Sequence, residues 1–450
     1  MGMGKNIGFV STRLAGIDGV SLEASKWAEV LEGSGHRCYW FAGELDKDPK
    51  KCFHVAEAHF QHPHNNWINE RVFGKINRQP YVTREIHSLR SHLKAKLRKF
   101  IDHFNIDLLI IENVLAIPLN IPLGIALTEL ISETQIPSIA HHHDFYWERS
   151  NFLVNAVGEY LHMAFPPKLA NIEHVVINSL ARDELARRRG ILASIIPNVL
   201  DFNNSPCIKK DHDKEFRRSF GINNGDVIIL QPTRIIKRKG IEHAIELIRA
   251  LNKPHYKLII SHEAGDEGFQ YAEWVKYHAR EHGVDLRIAN NRIPSPWISN
   301  GNNSNRYSLW NVYAYANFIT FPSLYEGFGN ALIEAIYFKK PMLINRYATF
   351  VKDIEPKGFD LVKIDGYLTK ETVESVREII ESPVRRQKMV SHNYKIAKKH
   401  YSYAVLRQQL KTSVRKLFEQ SNLPKTSMRT EYNQHNSCFS EESDLAHLSN

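Results

Sequence analysis

Two carboxylates stand eight positions apart in this chain, Glu326 and Glu334, with Gly327 and Gly329 between them. Glycines there let a backbone come close to a ligand. The apolar run Phe318 to Phe321, closed by Pro322 and Ser323, predicts a buried strand. Leu332, Ile333 and Ile336 predict a helix from about Asn330. A helix N-terminus has free N–H groups and the positive end of a dipole, which suits a phosphate. Glu334, about one turn in, is then placed to accept hydrogen bonds from a ribose, and Glu326 to reach a sugar. Earlier in the chain, His141, His142, His143 and Asp144 end a run that begins near Pro137. Three adjacent histidines invite a metal reading. Adjacent residues of a strand point to opposite faces, so the expectation is no metal.

These residues need elements to position them. A chain of 450 residues exceeds one typical core, which predicts two domains. Strands are expected at Ile7–Val10, Arg37–Phe41, Leu108–Glu112, Ser138–Ala140 and Val175–Asn178. The alternation restarts with Val227–Gln231, Lys257–Ser261, Leu286–Ala289, Phe318–Phe321, Met342–Asn345 and Leu361–Ile364. Helical segments lie between them, as in Val20, Ala24, Trp27, Ala28 and Leu31, ended by Gly33 and Gly35. The fold class read from this is α/β, with two Rossmann-like, doubly wound parallel-sheet domains facing a cleft.

The net charge is +10 and the pI about 9.2. A basic surface is compatible with anionic membranes, nucleic acid or phosphorylated substrates. The basic residues are interspersed with acids and no recognition motif occurs, so nucleic acid is not the expected partner. Cys38, Cys52, Cys207 and Cys438 have no paired spacing, which fits a reducing cytoplasm. No apolar run approaches the roughly 18 residues of a membrane span. The chain passes from Lys5 directly into a strand, so no signal peptide is expected. Membrane contact, if made, would be peripheral.

The stretch Pro322, Ser323, Glu326, Gly327, Phe328, Gly329 and Glu334 resembles the signature of glycosyltransferase family 4, whose members are retaining sugar-nucleotide transferases of GT-B fold. Asn330 departs from the apolar residue common there. The resemblance extends to Arg234, Lys239 and Gly240, similar to an arginine-x4-lysine-glycine motif. Two fixed cations would neutralise a departing diphosphate. Lys237 and Arg238, between them, are expected to be surface residues. Pro197 and Asn198 resemble the family's linker turn, with Val199 where glycine is usual.

The resemblance implies the site residues. Arg234 and Lys239 would hold the diphosphate and Glu334 the ribose. Glu326 and the backbone of Gly327, Phe328, Gly329 and Asn330 would hold the sugar, and His143 its other edge. A purely structural histidine is the alternative for any of the three. Gly16 and Gly19 would face the donor, or merely make a turn. Asp144, Tyr146 and Arg149, with Trp147 and Glu148, would form an acceptor wall, or pack at the domain edge; Asp18 is another candidate to face the acceptor. Residues 51–100 are rich in His, Arg, Lys and aromatics, including His62, His64, Trp67 and Arg71. They would serve an anionic acceptor or form a solvated basic loop. The segment around Asn345, Arg346, Tyr347, Asp353 and Glu355 is also similar to the family branch that mannosylates glucosyl-phosphoglycerate.

The implied protein moves a hexose from a nucleotide sugar, UDP-glucose or GDP-mannose, to a hydroxyl of a carbohydrate or small-molecule acceptor, with no cofactor. A GT-B nucleotide-sugar epimerase and a non-catalytic nucleotide-sugar-binding protein are the alternatives. The expected division is residues 1–200 for the acceptor and 201–400 for the donor. Residues 203–214 form the hinge, and a helix at 401–420 crosses back. From 421 to 450 the composition predicts disorder.

Overall fold

The computed structural model describes residues 4–16, 18–204, 213–262, 269–289 and 309–421. The expected tail and most of the expected hinge lie outside them.

Thirteen parallel strands form two sheets among these residues. The first holds β1 (Asn6–Val10), β2 (Arg37–Ala42), β3 (Cys52–His54), β4 (Leu108–Glu112), β5 (Ser138–His142), β6 (Ile172–Val176) and β7 (Ala193–Ile195). Its order is β3-β2-β1-β4-β5-β6-β7. The second holds β8 (Val227–Gln231), β9 (Tyr256–Ile260), β10 (Leu286–Ile288), β11 (Phe318–Phe321), β12 (Met342–Asn345) and β13 (Val362–Ile364), in the order β10-β9-β8-β11-β12-β13.

The sequence dictates this arrangement by burial. All five positions of β4, β5 and β6 are buried, and so are all four of β11 and β12. Strands apolar on both faces need helices on both faces, which parallel crossovers supply. In each sheet the chain order reverses beside the first strand, between β1 and β4 and between β8 and β11. Crevices for ligands open outside the carboxyl ends of such strands.

Helix Gly19–Glu32 buries Ala24, Trp27, Ala28 and Leu31 against β1 and β4. The last helix, Tyr403–Ser421, returns to this first domain and places Leu406, Leu410 and Leu417 in the same core. Three hydrogen bonds fix it there: Tyr403 Oη to Glu29 at 2.9 Å, Lys416 Nζ to Glu173 at 2.6 Å and Gln409 to the Ile195 carbonyl at 3.2 Å.

Several strand ends shift by one or two residues from the expectation, as in β5, which runs to His142, and β9, which is Tyr256–Ile260, and larger differences follow. β3 and β7 are three-residue edge strands, too short for periodicity to reveal. β6 ends at Val176, because Asn178 is the cap of helix Ser179–Arg189 and accepts from Ala181 N at 2.7 Å. The basic stretch is not a loop. It contains helices Pro63–Val72 and Pro80–Phe104, the second burying Val82, Ile86, Leu89, Leu93, Leu97 and Phe100. That stripe has helical spacing, which composition alone hides. No described helix is long and apolar enough to cross a membrane.

Candidate active site

The segments after β1, β5, β8 and β11 carry the site residues expected from the sequence; Gly19 opens the helix after β1, and Asn330 and Glu334 lie on the helix after β11. The geometry begins at β8. Its last residue, Gln231, is buried and donates to the Lys239 carbonyl at 3.0 Å, which folds the turn back over the strand end. Gly240 follows with φ +60°, and a Cβ there would lie 2.4 Å from the Pro322 carbonyl oxygen. Only glycine lets the two loops pack this closely.

The contact brings Lys239 Nζ onto Glu326 Oε1. Both side chains are about nine-tenths buried, at 12% and 11% exposed. Burial lowers the Lys239 pKa, with Glu326 opposing that shift. Arg238 Nη1 lies 3.3 Å from Glu326 Oε2 and donates to the Tyr325 carbonyl at 3.0 Å. Arg238 is a surface residue, as expected, at 43% exposed, and from the surface it reaches the same carboxylate. Arg234 is exposed and has no side-chain partner among the described residues. His262, just past β9, was not singled out from the sequence. Burial, and then nearby Arg234, hold its pKa down to about 4, so it is neutral at neutral pH. Its one signal is its place at a strand's carboxyl end.

After β11, Gly329 has φ +102° and caps helix Asn330–Tyr337. A Cβ on it would lie 2.3 Å from Tyr347 Oη, whose hydroxyl donates to the Phe328 carbonyl at 2.8 Å. The Phe328 side chain is buried against Tyr401, so only its backbone faces the loop. Glu334 accepts from Tyr313 Oη at 2.8 Å. Burial raises its pKa, while that hydrogen bond opposes the rise.

The two domains touch through the same loop. Asn178 Nδ2 donates to the Gly327 carbonyl at 2.7 Å, and Asn198 Nδ2 to Asn330 Oδ1 at 2.7 Å. Tyr325 Oη donates to Glu148 at 2.6 Å. Asp353 accepts from the backbone N–H of Ser179 at 2.7 Å and from its hydroxyl at 2.5 Å.

On the first domain, Gly19 opens its helix opposite Asn330. A Cβ on Gly19 would lie 4.0 Å from Asn330 Nδ2. Gly16 has φ +76° and donates its N–H to Asp46 at 2.8 Å. Asp18 caps the helix, accepting from Val20 N and Ser21 N at 3.1 Å each and from Ser21 Oγ at 2.7 Å. Its carboxylate caps the helix and also lies 3.2 Å from Arg13 Nη2.

The histidine run corrects the strand argument made for it. His141 and His143, two apart, share a face, and β4 places Glu112 opposite His141. Glu112 Oε2 lies 2.9 Å from His141 Nδ1 and 3.3 Å from His143 Nε2. Burial works against the Glu112 carboxylate, yet the two histidines hold its pKa down to about 2. Burial works against protonation of His143, yet Glu112 outweighs it and raises the pKa. His141 responds more to burial and its pKa is lowered. The three ligand-type atoms lie within 4.8 Å of one another, close enough to hold a cation and equally well matched as a charged hydrogen-bonded cluster. Glu112 was not singled out from the sequence. His142 points the other way, onto His174 at 2.9 Å within the core.

The expected acceptor wall is partly self-satisfied. Asp144 is held by Arg149 at 2.5 and 2.7 Å and by Asn113 at 3.0 Å. Tyr146 is half-buried and packs on the core.

Two facing parallel-sheet domains with this crevice define a GT-B glycosyltransferase. Residues 212–396 match the family described as Glycosyl transferases group 1. A mannosylglucosylglycerate synthase of Petrotoga mobilis is 33% identical over 384 residues, covering 80% of this chain and 86% of that protein. The enzyme of the same name from Thermotoga maritima is 32% identical over 423 residues, covering 86% and 94%. A mannosylglucosyl-3-phosphoglycerate synthase of P. mobilis is 23% identical, covering 53% and 49%. Among solved structures, a glycosyltransferase from Rickettsia africae superposes with TM-score 0.66 at 13% identity, covering 93% of this chain and all of that one. Anabaena HepE in complex with UDP-glucose superposes with TM-score 0.60 at 14% identity, covering 92% and 100%. The chain belongs to the group 1 glycosyl transferases.

Proposed function

We propose that this enzyme is a retaining mannosyltransferase that moves mannose from GDP-mannose to a hydroxyl of glucosylglycerate. The observation that carries the reading is the 33% identity, over most of both chains, to a relative named for mannosylglucosylglycerate. The nucleotide-sugar donor is supported by HepE, which shares the fold and was solved with UDP-glucose. The anionic acceptor fits the basic charge of +10.

In this reading the Lys239–Glu326 pair opens when donor arrives. Lys239 and Arg234 turn to the diphosphate, whose negative charge grows as the sugar leaves. Glu326 is freed to accept from sugar hydroxyls. The N–H groups at the start of helix Asn330–Tyr337 face the phosphates, and Glu334 takes the ribose hydroxyls. His143 lies at the sugar's other edge, positioned by Glu112. The acceptor hydroxyl attacks from the face the diphosphate leaves, and a phosphate oxygen takes its proton. The protein's part is positioning and electrostatics. The two cations supply the charge that a divalent ion would otherwise bring, so no cofactor is invoked. The interdomain contacts at Gly327, Asn330 and Tyr325 close the cleft and exclude water, whose attack on the donor is the competing reaction.

Thermal-shift titration with GDP, UDP, ADP and their mannose and glucose conjugates tests the donor side. Specific binding raises the melting temperature by mass action. A rise with GDP and GDP-mannose supports the reading; a rise with UDP-glucose alone replaces the donor.

A further inference from the structure

We propose that Arg13, with His59 beside it, receives the carboxylate of the acceptor, and so makes the enzyme selective for an anionic sugar acid over its neutral counterpart. This rests on the acceptor reading above. Arg13 follows β1, at the carboxyl end of the first sheet, where the crevice opens. Its Nη2 lies 3.2 Å from Asp18 Oδ2, and its guanidinium carbon lies 5.3 Å from the centre of the Phe60 ring. These contacts fix the group while its side chain stays 35% exposed. Asp18 is next to Gly19, which faces Asn330 and the donor-side helix. Arg13 is therefore near the reacting centre, on the acceptor domain.

The other cations of this face are committed elsewhere. Lys26 holds Glu23 at 2.5 Å and the Val199 carbonyl at 2.8 Å. Arg149 forks onto Asp144, and His143 is paired to Glu112. Arg13 keeps one edge of its planar fork with no hydrogen bond to the described protein, and that edge matches a carboxylate in two parallel bonds. A second group points to the same ligand. His59 packs against Phe60 in a tilted arrangement with ring centres 4.5 Å apart, and its Nε2 is buried without a hydrogen-bond partner. Glu44 lies 3.3 Å from that nitrogen but outside hydrogen-bonding geometry. Of the nearby acids, Asp18 is engaged with the helix start and Asp46 with Gly16 N and Lys47, while Glu44 is paired with His59 and is itself 56% exposed.

The test compares wild type, Arg13→Gln and Arg13→Lys with GDP-mannose as donor and either glucosylglycerate or neutral glucosylglycerol as acceptor. Wild type is expected to prefer glucosylglycerate. Arg13→Gln should lose about 10²-fold in kcat/KM with glucosylglycerate, the loss of a charged hydrogen-bonded pair, carried mainly by acceptor KM. Its rate with glucosylglycerol and its KM for GDP-mannose should stay within about twofold, since neither presents a carboxylate for the guanidinium to bond. Arg13→Lys should recover part of the loss, since charge returns without the fork, and it serves for the comparison if the Gln variant does not fold. Equal losses with both acceptors, or a loss confined to the donor KM, overturn the assignment. A wild type indifferent to the carboxylate sinks the acceptor reading and the role of Arg13 together. A wild type that prefers it, with Arg13→Gln keeping the preference, sinks the role of Arg13 alone. Glucosyl-3-phosphoglycerate as a third acceptor tells carboxylate from phosphate: a variant loss seen only with the phosphorylated acceptor overturns the carboxylate assignment.

Discussion

Lys239 and Glu326, 87 residues apart in the chain, meet as a nearly buried ion pair across the carboxyl ends of β8 and β11. Each neutralises the other, and in the proposed reading the donor separates them, freeing the ammonium for the diphosphate and the carboxylate for the sugar. Lys239→Ala should lower kcat by about 10²-fold or more by removing leaving-group stabilisation. Steady-state rates of a variant with native circular dichroism check this; unchanged turnover takes Lys239 out of the site.

Glu334 gives a binding prediction. Glu334→Gln keeps the shape and the Tyr313 contact but weakens a charged acceptor. GDP affinity should fall by about tenfold, the scale of one charged hydrogen bond. GDP lacking both ribose hydroxyls should bind the variant and wild type alike. Calorimetric titration separates the cases, and an equal loss for both nucleotides would place Glu334 away from the ribose.

The His143–Glu112 pair gives a pH dependence. Glu112, His141, Glu23 and Asp144 face His143, and its pKa lies above the ordinary value of 6.5. A raised folded pKa means that protonated His143 adds stability in full below the unfolded value and loses it as pH rises through the folded value. The difference in urea midpoint between wild type and His143→Gln should therefore shrink as pH climbs above about 6.5, the unperturbed histidine value. A difference that grows with pH would mean that His143 is neutral in the fold.

Gly329 gives a stability prediction. With φ +102° and Tyr347 Oη 2.3 Å from any added Cβ, Gly329→Ala is strained and crowded together. It should cost about 1–3 kcal/mol. Adding Tyr347→Phe removes the crowding hydroxyl and should return part of the loss, even though the Phe328 carbonyl then lacks its donor. Denaturant midpoints read both; a neutral single variant would show that the loop does not need this conformation.

Much of this was legible in sequence because the chemistry sits at strand ends. The runs at Val227–Gln231, Phe318–Phe321 and Met342–Asn345 match the strands residue for residue, since buried parallel strands are continuously apolar. The two sheets and family membership follow the expectation from Glu326 to Glu334. What was not legible depends on contacts between strands. Glu112 reads as one acid closing an apolar run, and only its register with His141 shows it beneath two histidines. Arg238 reads as one of three successive basic residues, and only the packing of Gly240 on Pro322 turns it to Glu326. Asp18 reads as a cleft acid until its helix-capping bonds are seen.

The most direct measurement is incubation of the enzyme with GDP-mannose and glucosylglycerate, followed by NMR of the product. The account predicts mannosylglucosylglycerate, with the mannose anomer of the donor retained and GDP released in equal amount. An inverted anomer contradicts the retaining mechanism. GDP-mannose left intact while UDP-glucose is consumed contradicts the donor, and with it the central claim.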